Sequence, residues 1–166
     1  QTGKIPITEG FIFDMLPVDS YVRKAKATGT QIKEWLEKEL NNVFAKNAAE
    51  RFGGWVVKFK GMEITFNAFG EKGNRVQSVM IGDMPLDPER LYTISACERD
   101  GDPADMLCRI KGVKDAVNTP FTLHEVMRSY LKANSPVTPT PPMAAKILDG
   151  PQSLLTQVTG VNYSFR

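Results

Sequence analysis

A chain of 166 residues with 42% hydrophobic and 24% charged side chains is long enough to bury a core and short for two independent domains. Its 21 basic and 19 acidic residues leave a net charge of +2, scattered along the sequence, which excludes an extended nucleic-acid footprint. No apolar run approaches the roughly 20 residues that cross a bilayer, Gln1 to Pro6 lacks the apolar core of a signal peptide, and Cys97 and Cys108 are too few for a disulfide scaffold.

In chain order, Thr8 ahead of Phe11, Ile12, Met15 and Leu16 predicts a short helix that Pro17 stops. Asp19 to Ala27 reads as a connecting strand. Thr28 and Gln31 stand at capping-box spacing, so a helix starts there. Behind the cap, Ile32, Trp35, Leu36, Leu40, Val43 and Phe44 form an apolar stripe, with Lys33, Glu34, Glu37 and Lys38 on the opposite face. Gly53-Gly54 opens a predicted strand, Trp55 to Phe59. Lys60-Gly61 separates it from a second, Met62 to Phe66, and the turn Glu71-Lys72-Gly73-Asn74 leads into a third, Arg75 to Ile81. Gly82-Asp83 and Asp87-Pro88 punctuate the chain before a strand over Leu91 to Ala96. Thr122 and Glu125 form a second capping-box pair, followed by Leu123, Val126, Met127, Tyr130 and Leu131 at helical spacing. Pro136, Pro139, Pro141 and Pro142 then forbid a helix, making the stretch 133–152 an extended connector. Val161, Tyr163 and Phe165 alternate with polar residues as an edge strand does. These elements predict an α+β fold: a single domain over 1–166, with a mixed, mostly antiparallel sheet packed with helices.

Catalytic residue types are sparse. The sole histidine, His124, falls on the first turn of a predicted helix, off its apolar stripe, and reads as a solvated surface residue. A metal site needs several converging ligands, and no such cluster is visible. Ser95 or Cys97 paired with His124 lacks a nucleophile-elbow pattern. Gly53-Gly54 lacks the Gly-Lys-Ser/Thr of a phosphate-binding loop. No catalytic or metal-ligating residue is therefore assigned, and no cofactor is expected in this chain.

Two groups of residues suit binding. In Glu98-Arg99-Asp100-Gly101-Asp102-Pro103, Arg99 has the fork geometry for a carboxylate or phosphate, and Asp102 can accept from a sugar hydroxyl or base edge. Asp102-Pro103 equally reads as an N-cap and first-turn proline of a helix burying Met106, Leu107 and Ile110. Trp55 and Phe59, four apart on a strand, share one face. They either offer a stacking platform or pack a core.

Ile7-Thr8, Phe13-Asp14-Met15-Leu16-Pro17, Thr28-Gly29-Thr30-Gln31-Ile32, Leu36-Glu37, Gly53-Gly54, Gly61, Gly82-Asp83-Met84-Pro85-Leu86-Asp87, Tyr92 and Gly101-Asp102 occur in an order that resembles the C-terminal domain of the 5'-nucleotidase family of metallophosphoesterases. The resemblance implies a hydrolase in which an upstream domain holds two divalent metal ions. This domain would supply the nucleotide pocket and rotate between open and closed states. It implies a base-stacking role for Trp55 or Phe59 and a nucleoside contact for Asp102. Ala96 and Cys97 stand where a second stacking aromatic is expected, and Asp100 and Pro103 replace glycines. The family's substrate-binding arginine is expected before Gln1. Gly53 to Phe59 is also similar to the thiosulfohydrolase branch, which acts on a sulfur-conjugated carrier. The implied function is a substrate-recognition domain that is inactive without its metallophosphoesterase domain, in a periplasmic, cell-surface or secreted hydrolase. The alternative is a non-catalytic binding module of the same fold with a non-nucleotide ligand.

Overall fold

A computed structural model describes residues 6–52, 59–97, 100–138 and 144–150. Along the chain these form α1 (Glu9–Met15), β1 (Tyr21–Thr28), α2 (Gly29–Phe44), a 3-10 turn (Ala48–Glu50), β2 (Met62–Phe66), β3 (Val76–Ile81) and β4 (Met84–Pro85). They continue as β5 (Leu91–Cys97), β6 (Met106–Leu107), β7 (Ile110–Lys111), β8 (Lys114–Thr122), α3 (Leu123–Asn134) and β9 (Ala145–Ile147). The α+β class holds, with mixed and mostly antiparallel sheets. The chain divides into two compact units, one of Gln1–Ile32 with Pro88–Pro141 and one of Lys33–Asp87 with Pro142–Arg166. The expected run Trp55 to Phe59 falls largely, and Val161 to Phe165 wholly, outside the described residues.

The first unit centres on β1, flanked by β5 and β8, both antiparallel to it. Ala25 and Ala27 face inward and are buried, while Lys24 and Lys26 alternate outward, the period of two that a strand imposes. The edge strand β8 was not expected from sequence. Its apolar residues do not alternate, and Pro120 suits an edge, where a missing N–H costs no ladder bond. Thr8 caps α1 by accepting from the Phe11 N–H. Thr122 and Glu125 form the second capping box on α3. On α3, Leu123, Met127 and Leu131 are half-buried, whereas Val126 and Tyr130 are exposed.

The first capping box is also present: Thr28 N–H donates to Gln31 Oε1 at 2.8 Å, and Gln31 N–H to Thr28 Oγ1 at 3.2 Å. The next free donors of α2 are taken by backbone carbonyls, with Gly29 N–H on Arg90 at 3.1 Å and Thr30 N–H on Pro88 at 3.0 Å. These bonds satisfy groups that a helix start leaves open.

In the second unit the strand order is β4-β3-β2-β9, with β9 parallel to β2 and the other pairs antiparallel. Trp35, Leu36 and Leu40 of α2 are buried, as are Ile64, Phe66, Val76 and Val79 of the sheet. The face of α2 expected to be solvated is narrower than the sequence pattern suggests. Lys33, Glu34 and Lys38 are exposed, but Glu37 is buried. The physical reason is hydrogen bonding: its carboxylate accepts from the backbone N–H of Arg75 at 3.0 Å and of Val76 at 2.7 Å.

Candidate functional site

Of the four sequence candidates, Trp55 and Arg99 lie outside the described residues. Phe59 is half-buried, ahead of β2 and outside any strand, in the second unit. Asp102 is half-buried in the first unit, just past the end of β5. Asp102 therefore anchors the candidate site.

The backbone around Asp102 is not the helix that Asp102-Pro103 suggested. Met106–Leu107 and Ile110–Lys111 pair antiparallel as a hairpin. Cys108 and Arg109 at its tip have φ of 52° and 66°. Two consecutive positive values make the tight primed turn that joins twisted strands, which a right-handed helix cannot contain. Leu107 and Ile110 are buried as expected, through strand pairing instead of helical spacing.

This loop is fastened at several points. Met106 N–H donates to Pro103 O at 2.9 Å, and Val113 N–H to Asp105 O at 2.9 Å. From β1, Arg23 Nη2 donates to Ala104 O at 2.9 Å. From the first turn of α2, Gln31 Nε2 donates to Lys111 O at 2.9 Å and Gly112 O at 3.0 Å. Gly112 has φ of +67°, and a Cβ there would stand 3.3 Å from Gln31 Nε2. A half-buried carboxylate on so restrained a loop can accept from ligand hydroxyl or N–H donors without first ordering the chain.

His124 is not a surface residue; it is 1% exposed. Its Nε2 lies 2.7 Å from Leu16 O. A carbonyl only accepts, so that nitrogen carries the proton. The imidazole meets the Phe13 ring edge-on at 4.5 Å between centroids. Asp19 receives the His124 backbone N–H at 2.9 Å. This bond is the largest cause holding the Asp19 carboxyl below its ordinary pKa, with the Thr122 side chain and Arg128 charge acting in the same direction. Ser95 Oγ instead donates to Arg23 O at 3.3 Å. His124 thus joins the end of α1 to the start of α3, and the structure does not pair it with Ser95.

Among the described residues, no three His, Cys, Asp or Glu side chains converge as a metal site. No helix among these residues is long and apolar enough to cross a membrane.

Sequence reasoning missed a buried polar group in the second unit. Arg75 is 2% exposed and donates to Ala68 O at 3.2 Å, Asn41 Oδ1 at 3.0 Å and Phe44 O at 3.3 Å. The helical spacing of Glu37 and Asn41 was the one available signal. Nearby, Val43, Phe44, Lys46, Arg51 and Phe69 line a cleft of about 230 Å³. Its cations are engaged locally, Lys46 with Glu71 at 2.8 Å and Arg51 with Ala45 O at 2.7 Å. It contains none of the sequence candidates.

A sequence profile described as 5'-nucleotidase, C-terminal domain, matches residues 1–97. No curated protein sequence matches the chain significantly. Among solved structures, the sulfate thiohydrolase SoxB of Thermus thermophilus, in complex with glycerol, is 25% identical over 89% of this chain and 24% of that chain, with a TM-score of 0.62. A 5'-nucleotidase precursor, also from Thermus thermophilus, is 23% identical over 88% of this chain and 29% of its own, with a TM-score of 0.63. The NAD nucleotidase NadN of Haemophilus influenzae is 15% identical over 85% and 26%, with a TM-score of 0.62. This chain thus spans about a quarter of each of these structures. The profile match covers more than half of the 166 residues, from before α1 through the end of β5, and on it the chain belongs to the 5'-nucleotidase C-terminal domain family.

Proposed function

We propose that this chain is the substrate-recognition domain of a 5'-nucleotidase-type phosphoester hydrolase, with Asp102 accepting from the ribose or base of a nucleotide. The observation that carries the reading is the restrained loop beyond β5, which presents Asp102 immediately after the family-matched segment. In this proposal Arg99 pairs with an anionic group of the ligand. Phosphoester cleavage belongs to an upstream metallophosphoesterase domain holding divalent ions, in a periplasmic, cell-surface or secreted protein. The chain alone then hydrolyses no phosphoester, with or without added manganese or zinc.

A non-nucleotide ligand is the second reading. Ala96 occupies the position where the resemblance implies a second stacking aromatic, and SoxB is among the similar structures. One titration separates the two. With adenosine and AMP added while Trp35 and Trp55 fluorescence is followed, the nucleotide reading expects saturable binding that Asp102→Ala weakens about tenfold or more, the effect of losing one bond to a well-placed acceptor. No binding by the full-length protein transfers the assignment to the second reading, whereas equal affinity of wild type and Asp102→Ala removes Asp102 as the contact.

A further inference from the structure

We infer that Gln31 is a positioning residue for the Asp102 loop, in addition to being the cap of α2; this rests on the recognition reading above. A capping box accepts either glutamine or glutamate at its third position, because only the side-chain oxygen is used. Here that oxygen takes the Thr28 N–H at 2.8 Å, while the nitrogen of the same amide donates to Lys111 O at 2.9 Å and Gly112 O at 3.0 Å. A carboxylate can serve the first role and not the second. The receiving backbone is shaped for the contact. Gly112 takes a positive φ of +67° and lacks the Cβ that would press on Gln31 Nε2 at 3.3 Å.

The two held carbonyls lie at the end of the hairpin that Asp102 precedes, Asp102 standing four residues ahead of Met106. Val113 N–H closes that hairpin on Asp105 O at 2.9 Å, and Arg23 holds Ala104 O from β1 at 2.9 Å. The loop is therefore gripped on both arms, by a strand residue on the Asp102 side and by Gln31 on the return side. Losing the second grip leaves α2 capped and frees the hairpin to move. Small displacements of a binding group are enough to weaken a ligand contact substantially.

The test is Gln31→Glu in the full-length protein, read by amide hydrogen exchange and by adenosine and AMP titration. The amides of Met106 and Val113 are expected to exchange about tenfold faster or more, while those in the first turn of α2 keep their protection. Nucleotide affinity is expected to fall about 5- to 10-fold. Unchanged exchange at Met106 and Val113 overturns the inference. If Gln31→Glu does not fold, Gln31→Ala is compared with Thr28→Ala: faster hairpin exchange in the first but not the second supports positioning, and equal hairpin exchange in both overturns it. The underlying reading fails separately. If Asp102→Ala leaves affinity unchanged, Asp102 is not the contact, and hairpin exchange still decides what Gln31 holds.

Discussion

Glu37 sits one helical step, about 100°, from Leu36, and every neighbour-based rule places it in water. Its burial is explained by the start of β3, where the N–H groups of Arg75 and Val76 need acceptors and receive both carboxylate oxygens. A buried donor left unmade costs about 1–3 kcal/mol. Glu37→Ala strands two of them and is expected to destabilise the chain by about 2–4 kcal/mol, read as a lower urea midpoint at neutral pH. Glu37→Gln, which retains one accepting oxygen, should fall between. A midpoint for Glu37→Ala equal to wild type would show that these amides find other partners. The sequence could not show this, because the acceptor and its donors are 38 and 39 positions apart.

At the scale of elements, α2 shows which features were legible. Its start was readable because Thr28 and Gln31 lie within one turn, and the same holds for Thr8 on α1 and Thr122 with Glu125 on α3. Its end was not. The last turn carries no basic residue, and cations arrive from elsewhere: Arg75 donates to Phe44 O and Arg51 to Ala45 O. Both answer the partial negative charge of a helix C-terminus. Arg75→Met fills similar volume but leaves the Ala68, Phe44 and Asn41 acceptors without it, a loss expected at about 3 kcal/mol. Faster hydrogen exchange confined to the final turn of α2 should accompany the lower stability. The β6–β7 hairpin was misread for a related reason. Asp-Pro is a strong local start signal, and nothing in Cys108-Arg109 advertises a primed turn, which Asn-Gly or Asp-Gly would.

For the whole molecule, the family, the α+β class and most strands were legible, because glycine punctuation and apolar spacing are local. The pairing partners were not. The sequence suggests one mixed sheet, whereas β5 pairs with β1 in one unit and β2 with β3 in the other. At the candidate site, Asp102 was proposed from sequence, whereas the loop-holding roles of Arg23 and Gln31 were not legible, since their acceptors lie about 80 residues away. Electrostatics also act at this scale. Asp19 is held below its ordinary pKa first by the His124 amide, Glu50 by Asn41, Glu71 by Lys46 and Asp115 by Lys26. A depressed carboxylate stabilises the fold above its unfolded pKa, near 4, and that contribution is lost as pH falls through the folded value. The melting temperature is therefore expected to hold from pH 7 to about 5 and then decline toward pH 2. In Asp19→Asn the decline should be shallower, and an unchanged acid limb would remove Asp19 from this account.

The parallel strand β9 has a consequence for the order of synthesis. Asp149, just beyond it, binds the Ala68 and Phe69 amides with its carboxylate, at 2.6 and 2.9 Å, and Ala68 lies 81 residues upstream. At about 5–20 residues per second, β2 leaves the ribosome roughly 4–16 s before the strand that will cover its edge. During that interval the backbone of Met62–Phe66 presents open N–H and C=O groups to any neighbouring nascent chain, the exposure that favours edge-to-edge association. Slower translation lengthens this exposure, and a chaperone that shields the edge is expected to raise the soluble yield.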